Sequence, residues 1–316
     1  MTSTQDCEST NSKFRCAVVF ACDINYLPYT IFAIERMREV EPDATYDICI
    51  ASTTLDGTEF PFEKKNIRFL KLDTKRIEKL RLHNHVTQDS YTRILLPELL
   101  QPDYDRILYL DSDTYLNEPG LQYLLDIDMQ DHVIAAAPDQ LQWRQSFTKK
   151  LVPYLSGLGV QKSDYFNAGV MLVDTYKFKK RGLEKTILDY SRKNPDKVLI
   201  ADQSATNAAM KGEWLHLPLR WNWQIDNFEP FNYMRPNIKI VHFNNTKPWN
   251  SKIPPWQIPY AKLLFAFMNE RFPEYNFKMP EALPAHNKIG KKLEILWRRQ
   301  RYVRRLDKIE KLALSI

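Results

Sequence analysis

The chain has 316 residues, 44% hydrophobic and 27% charged, ordinary values for a folded globular protein that exclude global disorder. Only 8 residues are glycine, against about 22 at average usage, and neither a G-x-G-x-x-G turn nor a Walker A loop is present, which excludes the common glycine-rich phosphate cradles. The net charge of +6 is unevenly placed: ten Lys or Arg face three acids from His286 onward, so residues 1–285 are close to neutral and the C-terminal segment is cationic.

Residues 1–15 are polar, lack the apolar core of a secretory signal and are read as an N-terminal tail. Residues 16–21 form a short apolar, β-branched run, predicted to be a buried strand. Helical spacing of Tyr29, Phe32, Ala33, Met37 and Val40 predicts a helix over 26–41. Strands are predicted at 46–51 and 67–72, a helix at 90–100 and a strand at 106–110. The alternation continues with strands near 133–137 and 166–173 and helices at 176–193 and 200–210. A strand at 238–242 and a helix at 255–272 follow. Strands alternating with helices predict an α/β fold, a mostly parallel Rossmann-like sheet with helices on both faces. Proline-rich stretches at 247–259 and 272–284 place the end of this domain near residue 280, giving a body of 16–280 and a helical basic tail of 281–316.

The four cysteines (Cys7, Cys16, Cys22 and Cys49) lie within the first 49 residues and show no C-x-x-C spacing. They read as thiols of a reduced, intracellular protein rather than a disulfide framework or zinc ribbon. No run of 18 apolar residues appears, so no membrane span is expected.

Chemistry concentrates where apolar strands end. The predicted strand at 106–110 runs into Asp111-Ser-Asp113. Residues two apart in an extended segment point to one side, so the two carboxylates can meet a single hard cation such as Mn²⁺ or Mg²⁺. A strand-end turn rich in Asp and Ser is the plainer reading. Asp23, Asn25 and Tyr26 follow the first strand. They read either as the cap of the next helix or as a carboxylate, an amide and a ring for a nucleobase. His242 follows another apolar strand and precedes Lys247. An imidazole suits a transition metal and a lysine suits a phosphate, while a hydrogen-bonded core histidine is the alternative. Phe166-Asn167-Ala-Gly169 and Asp202-Gln203 are two further polar clusters beside predicted elements.

Taken in order, Val-Val-Phe-Ala-Cys-Asp-Ile-Asn-Tyr26, Ser-Tyr-Thr-Arg93, Leu-Tyr-Leu-Asp-Ser-Asp113, Tyr-Phe-Asn-Ala-Gly-Val170, Ala-Asp-Gln203 and His-Phe-Asn-Asn-Thr-Lys-Pro-Trp249 resemble glycosyltransferase family 8. These are retaining enzymes of GT-A fold that use nucleoside-diphospho sugars. Within the family the likeness is to bacterial lipopolysaccharide and lipooligosaccharide glucosyl- and galactosyltransferases. The resemblance covers residues 16–250. It implies Asp111, Asp113 and His242 as ligands of Mn²⁺, with Mg²⁺ second. It implies Asp23, Asn25 and Tyr26 at the nucleoside, Arg93 at the donor sugar or diphosphate, and Lys247 at a phosphate. Asn167, Asp202 and Gln203 would line the transferred sugar. Ile24 stands where the family often has a second Asp, Asn245 replaces a Gly, and Lys247 follows His242 by five residues rather than six.

The implied function is transfer of glucose, galactose or N-acetylglucosamine from a UDP-sugar to a glycan or glycolipid hydroxyl. A UDP-sugar hydrolase and a non-catalytic carbohydrate-binding protein are the competing readings. Nucleic acid is not expected as a partner, because the body is near neutral and lacks an aromatic, basic sheet face. In the tail, Ile289, Leu293 and Leu296, then Tyr302, Leu306 and Ile309, recur at helical spacing beside Trp297 and several arginines. This pattern reads as an interfacial helix on an anionic membrane and implies a cytoplasmic protein peripheral to the inner face of the plasma membrane; packing of the helix on the body is the alternative.

Overall fold

The computed structural model describes residues 14–54, 67–78, 80, 88–142, 148–225 and 237–283, with five further residues between 304 and 313. In chain order the elements are β1 (Cys16–Ala21), α1 (Leu27–Val40), β2 (Asp47–Ser52), β3 (Ile67–Lys71), α2 (Thr92–Leu100), β4 (Arg106–Leu110) and β5 (Thr114–Leu116). Then come α3 (Leu121–Asp126), β6 (Ile134–Pro138), α4 (Thr148–Leu158), β7 (Phe166–Asp174), α5 (Thr175–Lys180), α6 (Leu183–Lys193) and α7 (Ala201–Met210). The last are β8 (Leu215–His216), β9 (Trp223–Gln224), β10 (Ile240–His242), β11 (Lys252–Ile253), α8 (Ile258–Arg271) and β12 (Glu281–Ala282).

The central strands β1 and β4 are largely apolar runs because both of their faces are covered. Along β1, Val18 and Phe20 join one core layer while Ala17 and Val19 join the other; along β4, Leu108 and Leu110 alternate in the same way with Ile107 and Tyr109. Helix α1 closes the first layer through Leu27, Ile31 and Ile34, and α2 the second through Ile94, Leu95 and Leu96. The main sheet has seven strands in the order β3-β2-β1-β4-β7-β6-β8. All run parallel except β7, which is antiparallel to both β4 and β6. A smaller sheet, β5-β10-β9, starts from the turn that follows β4.

Two features of this topology place the site. From β1 the chain builds outward to β2 and β3, then returns to put β4 on the other side of β1. The ends of β1 and β4 therefore flank a topological switch point, where open α/β sheets leave a crevice. Because β7 is reversed, its beginning rather than its end reaches this same edge.

The predicted helix over 176–193 is two helices, α5 and α6. Gly182 lies between them with φ of 60°, in the left-handed region that a continuous helix cannot include, and Asp174 caps α5 by accepting from the Lys177 amide at 2.9 Å. The strands β5, β8, β9, β11 and β12 have no periodicity to reveal them, being two or three residues long. Helices α3 and α4 were also not expected; α4 carries an internal Pro153. In the tail, Arg304, Asp307 and Glu310 are helical, and Glu310 Oε1 accepts the Leu219 amide at 2.8 Å, a contact between tail and body. Ile289, Leu293, Leu296, Tyr302, Leu306 and Ile309 lie outside the described residues, as do Cys7 and residues 1–13. Among the described residues no helix is long and apolar enough to cross a membrane.

Arg106 shows how one end of the body is held. Its side chain is buried, donates from Nη1 to the carbonyls of Leu125 and Ile127 at 2.7 Å each, and stacks on Phe14 at 3.6 Å. The two carbonyls are left unpaired by the end of α3. We expect Arg106→Met to lower unfolding free energy on the order of 2–3 kcal/mol, since two buried acceptors lose a charged donor. Urea unfolding followed by circular dichroism measures it, and an unchanged midpoint would contradict the role.

Candidate functional site

The turn after β4 carries Asp111, Ser112 and Asp113 to the crevice. Thr114 fixes this turn by donating to the Asp111 carbonyl, through its amide at 3.1 Å and its hydroxyl at 2.7 Å, and the Thr30 hydroxyl holds Ser112 from α1 at 2.7 Å. Strand β10 pairs antiparallel with β5, placing His242 opposite Thr114. His242 Nε2 lies 3.2 Å from Asp113 Oδ1 and 3.7 Å from Asp111 Oδ2. One atom from each of the three residues lies within 4.8 Å of the others.

Glycine at position 169 permits this convergence. The Asp111 amide donates to the Gly169 carbonyl at 2.8 Å, so β7 passes directly beside the carboxylates. A Cβ on Gly169 would stand 2.2 Å from His242 Cε1 and 2.6 Å from Asp111 Oδ2. Asp113 Oδ1 is buried and accepts no hydrogen bond. A buried carboxylate oxygen without a donor, a second carboxylate and an imidazole together fit a divalent cation with oxygen and nitrogen ligands.

The charges around the cluster are paired. Arg93, rising from α2, lies 3.1 Å from Asp111 Oδ1 and 2.9 Å from Asp202 Oδ2, donates to the Ala168 carbonyl at 2.8 Å, and sits over the Tyr109 ring. Burial opposes its charge, but Asp111 and Asp202 outweigh that and raise its pKa. Burial pushes Asp202 up to about 6, with Arg93 offsetting part of the effect. Burial acts upward on Asp113 as well, yet the Lys247 ammonium holds its carboxyl well below the usual range. Lys247 Nζ donates to Asp113 Oδ2 and to the Phe243 carbonyl.

Behind the cluster lies a polar network that the linear motifs did not reveal. His242 Nδ1 is 3.0 Å from Asn222 Oδ1, Asn222 Nδ2 donates to Asn167 Oδ1 at 2.9 Å, and Asn167 Nδ2 donates to Asp139 Oδ2 at 2.9 Å. Gln203 Nε2 donates to the same Asp139 oxygen at 3.1 Å while its Oε1 accepts the Ala168 amide at 3.0 Å. Burial raises the Asp139 pKa, partly offset by these amides. Asp139 and Asn222 sit in segments without a recognisable motif; the only local signal was a polar residue next to an apolar run.

Beside the end of β1, Asp23 Oδ1 accepts the Tyr26 amide at 2.9 Å within the turn that leads to α1; Tyr26 itself is the N-cap and no side chain caps this helix, so Asp23 does not cap it, and Asp23 lines a cavity of about 190 Å³. Tyr26, Arg93, Asp111 and Asp113 line the same cavity; Asn25 is exposed and is not among its lining residues. Tyr26 meets Trp249 edge-on at 6.2 Å, and Trp249 stacks on Tyr29 at 4.0 Å, an aromatic cluster that backs the Tyr26 ring. Of the residues marked in the sequence, Asp111, Asp113, His242, Lys247, Arg93 and Asp202 form one connected cluster. Asn167 and Gln203 stand behind it in the network, and Asp23 and Tyr26 stand at its side.

Fold and site together describe a Rossmann-like α/β protein with an acidic, imidazole-bearing cluster able to hold a cation at its switch point. The family model for glycosyl transferase family 8 matches residues 17–253, and the chain belongs to that family. It is 29% identical over 220 residues to General stress protein A of Bacillus subtilis, covering 64% of this chain and 72% of the relative. It is 27% identical over 191 residues to the lipopolysaccharide 1,3-galactosyltransferase of Salmonella typhimurium, covering 57% of this chain and 55% of that one. The crystal structure of the galactosyltransferase LgtC in complex with donor and acceptor sugar analogs superposes with a TM-score of 0.66 at 23% identity, over 79% of this chain and 95% of that one. The shared GT-A fold is what this last likeness shows.

Gly169→Ala tests the crowding at the cluster. The added methyl displaces the imidazole, so we expect Mn²⁺ affinity to fall roughly 10–100-fold and stability to drop by about 1–3 kcal/mol. Titration of free Mn²⁺ by electron paramagnetic resonance, with a thermal melt alongside, reads both. Native-like Mn²⁺ binding in the variant would show that this space does not limit the site.

Proposed function

We propose that the chain transfers a hexose (glucose, galactose or N-acetylglucosamine) from a UDP-sugar to a saccharide hydroxyl with retention of configuration, in the synthesis of a cell-surface glycan. The convergence of Asp111, Asp113 and His242 at the switch point of a family 8 chain carries this reading. The lipopolysaccharide galactosyltransferase among the relatives supports the glycan acceptor. A divalent cation held by those three residues, Mn²⁺ ahead of Mg²⁺, would neutralise charge on the leaving diphosphate.

The chain's own groups do the rest. Tyr26 offers a half-exposed ring for the uracil, with Asp23 and Asn25 at the adjoining edge. Lys247, already at the cluster on Asp113, gives a second positive charge for the diphosphate. Arg93 bridges Asp111 and Asp202 and so fixes the cation site relative to the start of α7. Asp202, Gln203 and Asn167 form the wall behind the transferred sugar. The acceptor oxygen attacks the anomeric carbon on the face from which UDP departs. The carbon–oxygen bond to the β-phosphate breaks with its electron pair going to UDP, and a diphosphate oxygen takes the acceptor proton. The Gln203 amide is engaged at both ends and Asp202 is held by Arg93, which supports this route over a covalent adduct on either residue. The tail would hold the enzyme on the inner face of the plasma membrane through its basic, apolar helix, beside a lipid-linked acceptor.

Incubation with a panel of UDP-sugars and a mixed glycan acceptor, with and without metal, tests the activity. We expect no transfer after metal stripping in EDTA and recovery on adding Mn²⁺. Asp113→Asn should lower the rate at least about 100-fold. Full activity in excess EDTA would overturn the metal reading, and acceptor-independent release of sugar would make the protein a hydrolase. For the tail, salt-sensitive co-sedimentation with anionic vesicles should be lost on truncation after Pro284; equal sedimentation of the two proteins would remove the membrane role.

A further inference from the structure

The amide–carboxylate network behind the cluster has a direction, and it ends on His242 Nδ1, not on the Nε2 that approaches Asp111 and Asp113. Asp139 accepts at Oδ2 from Asn167 Nδ2 and Gln203 Nε2, and at Oδ1 from the Leu141 amide at 2.8 Å. A carboxylate can only accept, so the amino group of Asn167 must face it. The other end of Asn167 is fixed independently: its Oδ1 accepts the Gly169 amide at 3.0 Å. That oxygen can pair only with a donor, so Asn222 must present Nδ2 to it at 2.9 Å. Asn222 Oδ1 then faces His242 Nδ1 at 3.0 Å, and the proton there must be on the ring nitrogen. Asn222 is wholly buried, and no part of the chain can reverse without opposing two acceptors or two donors.

We infer that Asn222 is a positioning residue, which holds the His242 imidazole in the Nδ1–H form and so presents the Nε2 lone pair to Asp111 and Asp113. In the neutral ring Nε2 is then the acceptor, 3.2 Å from Asp113 Oδ1, which has no hydrogen-bond partner. Two acceptors face one another across a gap that a cation would bridge. Metal-bound histidines are commonly oriented in this way by an acceptor on their other nitrogen. Asn222 reaches its place through the 3₁₀ turn Leu219–Trp221, which it terminates by donating its own amide to the Leu219 carbonyl at 3.0 Å. The metal consequence rests on the function proposed above; the tautomer does not.

The test is ¹⁵N NMR of the full-length, metal-free protein, labelled at histidine and held above pH 8, with the His242 signals assigned through His242→Gln. We expect the native ring to show a protonated Nδ1 and an unprotonated Nε2. Asn222→Ala should give a mixture of the two forms and weaken Mn²⁺ binding roughly 10–100-fold. Asn222→Asp keeps an acceptor toward the imidazole and loses the donor toward Asn167. It should retain the Nδ1–H form and hold Mn²⁺ more tightly than Asn222→Ala. A native ring protonated at Nε2 overturns the proposal even if no variant folds, and so does an Asn222→Ala protein with native tautomer and native Mn²⁺ affinity. A native protein with the Nδ1–H form that binds no Mn²⁺ leaves the relay standing and removes the metal from the proposed function.

Discussion

Bringing His242 to within 3.2 Å of Asp113 while β7 passes between strand ends leaves no space for a Cβ at position 169, and much of the architecture follows from that crowding. The carboxylates come from the end of β4. The imidazole comes from β10, about 130 residues later in the chain by number. Only a second sheet, sprung from the turn after β4, can lay β10 alongside them. Only a reversed β7 can offer its first residues, Asn167 to Gly169, at the same edge. The helices serve this arrangement by covering both faces of the sheet, which leaves the carboxyl edge as the place where polar groups collect.

Charge is managed by pairing rather than by exposure. Asp111 and Asp202 share one guanidinium, and Asp113 shares the Lys247 ammonium with a backbone carbonyl. Three carboxylates against two cations leave the cluster with one negative charge in excess, a condition that favours a bound cation. Buried ions without such partners cost several kcal/mol each. The pairing therefore makes the site stable enough to exist, and the imbalance makes it selective for cations. The hydrogen-bonded amides behind it add orientation. They carry no net charge, yet their donor and acceptor ends fix the groups they touch.

The same body also contacts its own tail. Glu310 accepts the amide of Leu219 at the head of the 3₁₀ turn that ends in Asn222, so a residue of the cationic segment touches the support of the site. The tail therefore supplies an acidic side chain that satisfies a backbone amide of the body.

The alternation of strands and helices was legible along the chain because a strand buried on both faces is predominantly apolar, as β1, β4 after Arg106 and β7 from Ala168 to Val173 are. The strand ends were legible as chemistry because Asp111, Asp113, His242 and Lys247 stand where an apolar run stops. Elements of two or three residues, such as β5 and β9, carry no period, and their existence follows from pairing with distant partners. The break between α5 and α6 was written in Gly182, but a helical pattern on both sides conceals a single residue of left-handed backbone. Asp139 and Asn222 belong to no motif. Their roles arise from what they touch, and hydrogen bonds between residues 28 and 55 positions apart are not encoded in local spacing. What the sequence by itself determined was the layered α/β body and the residue types available at its carboxyl edge, since burial and periodicity are local properties. The tertiary structure alone decided which of those residues share a cation-sized space, which way the amides point, and why position 169 must be glycine, because distance and direction between remote groups exist only once the chain has folded.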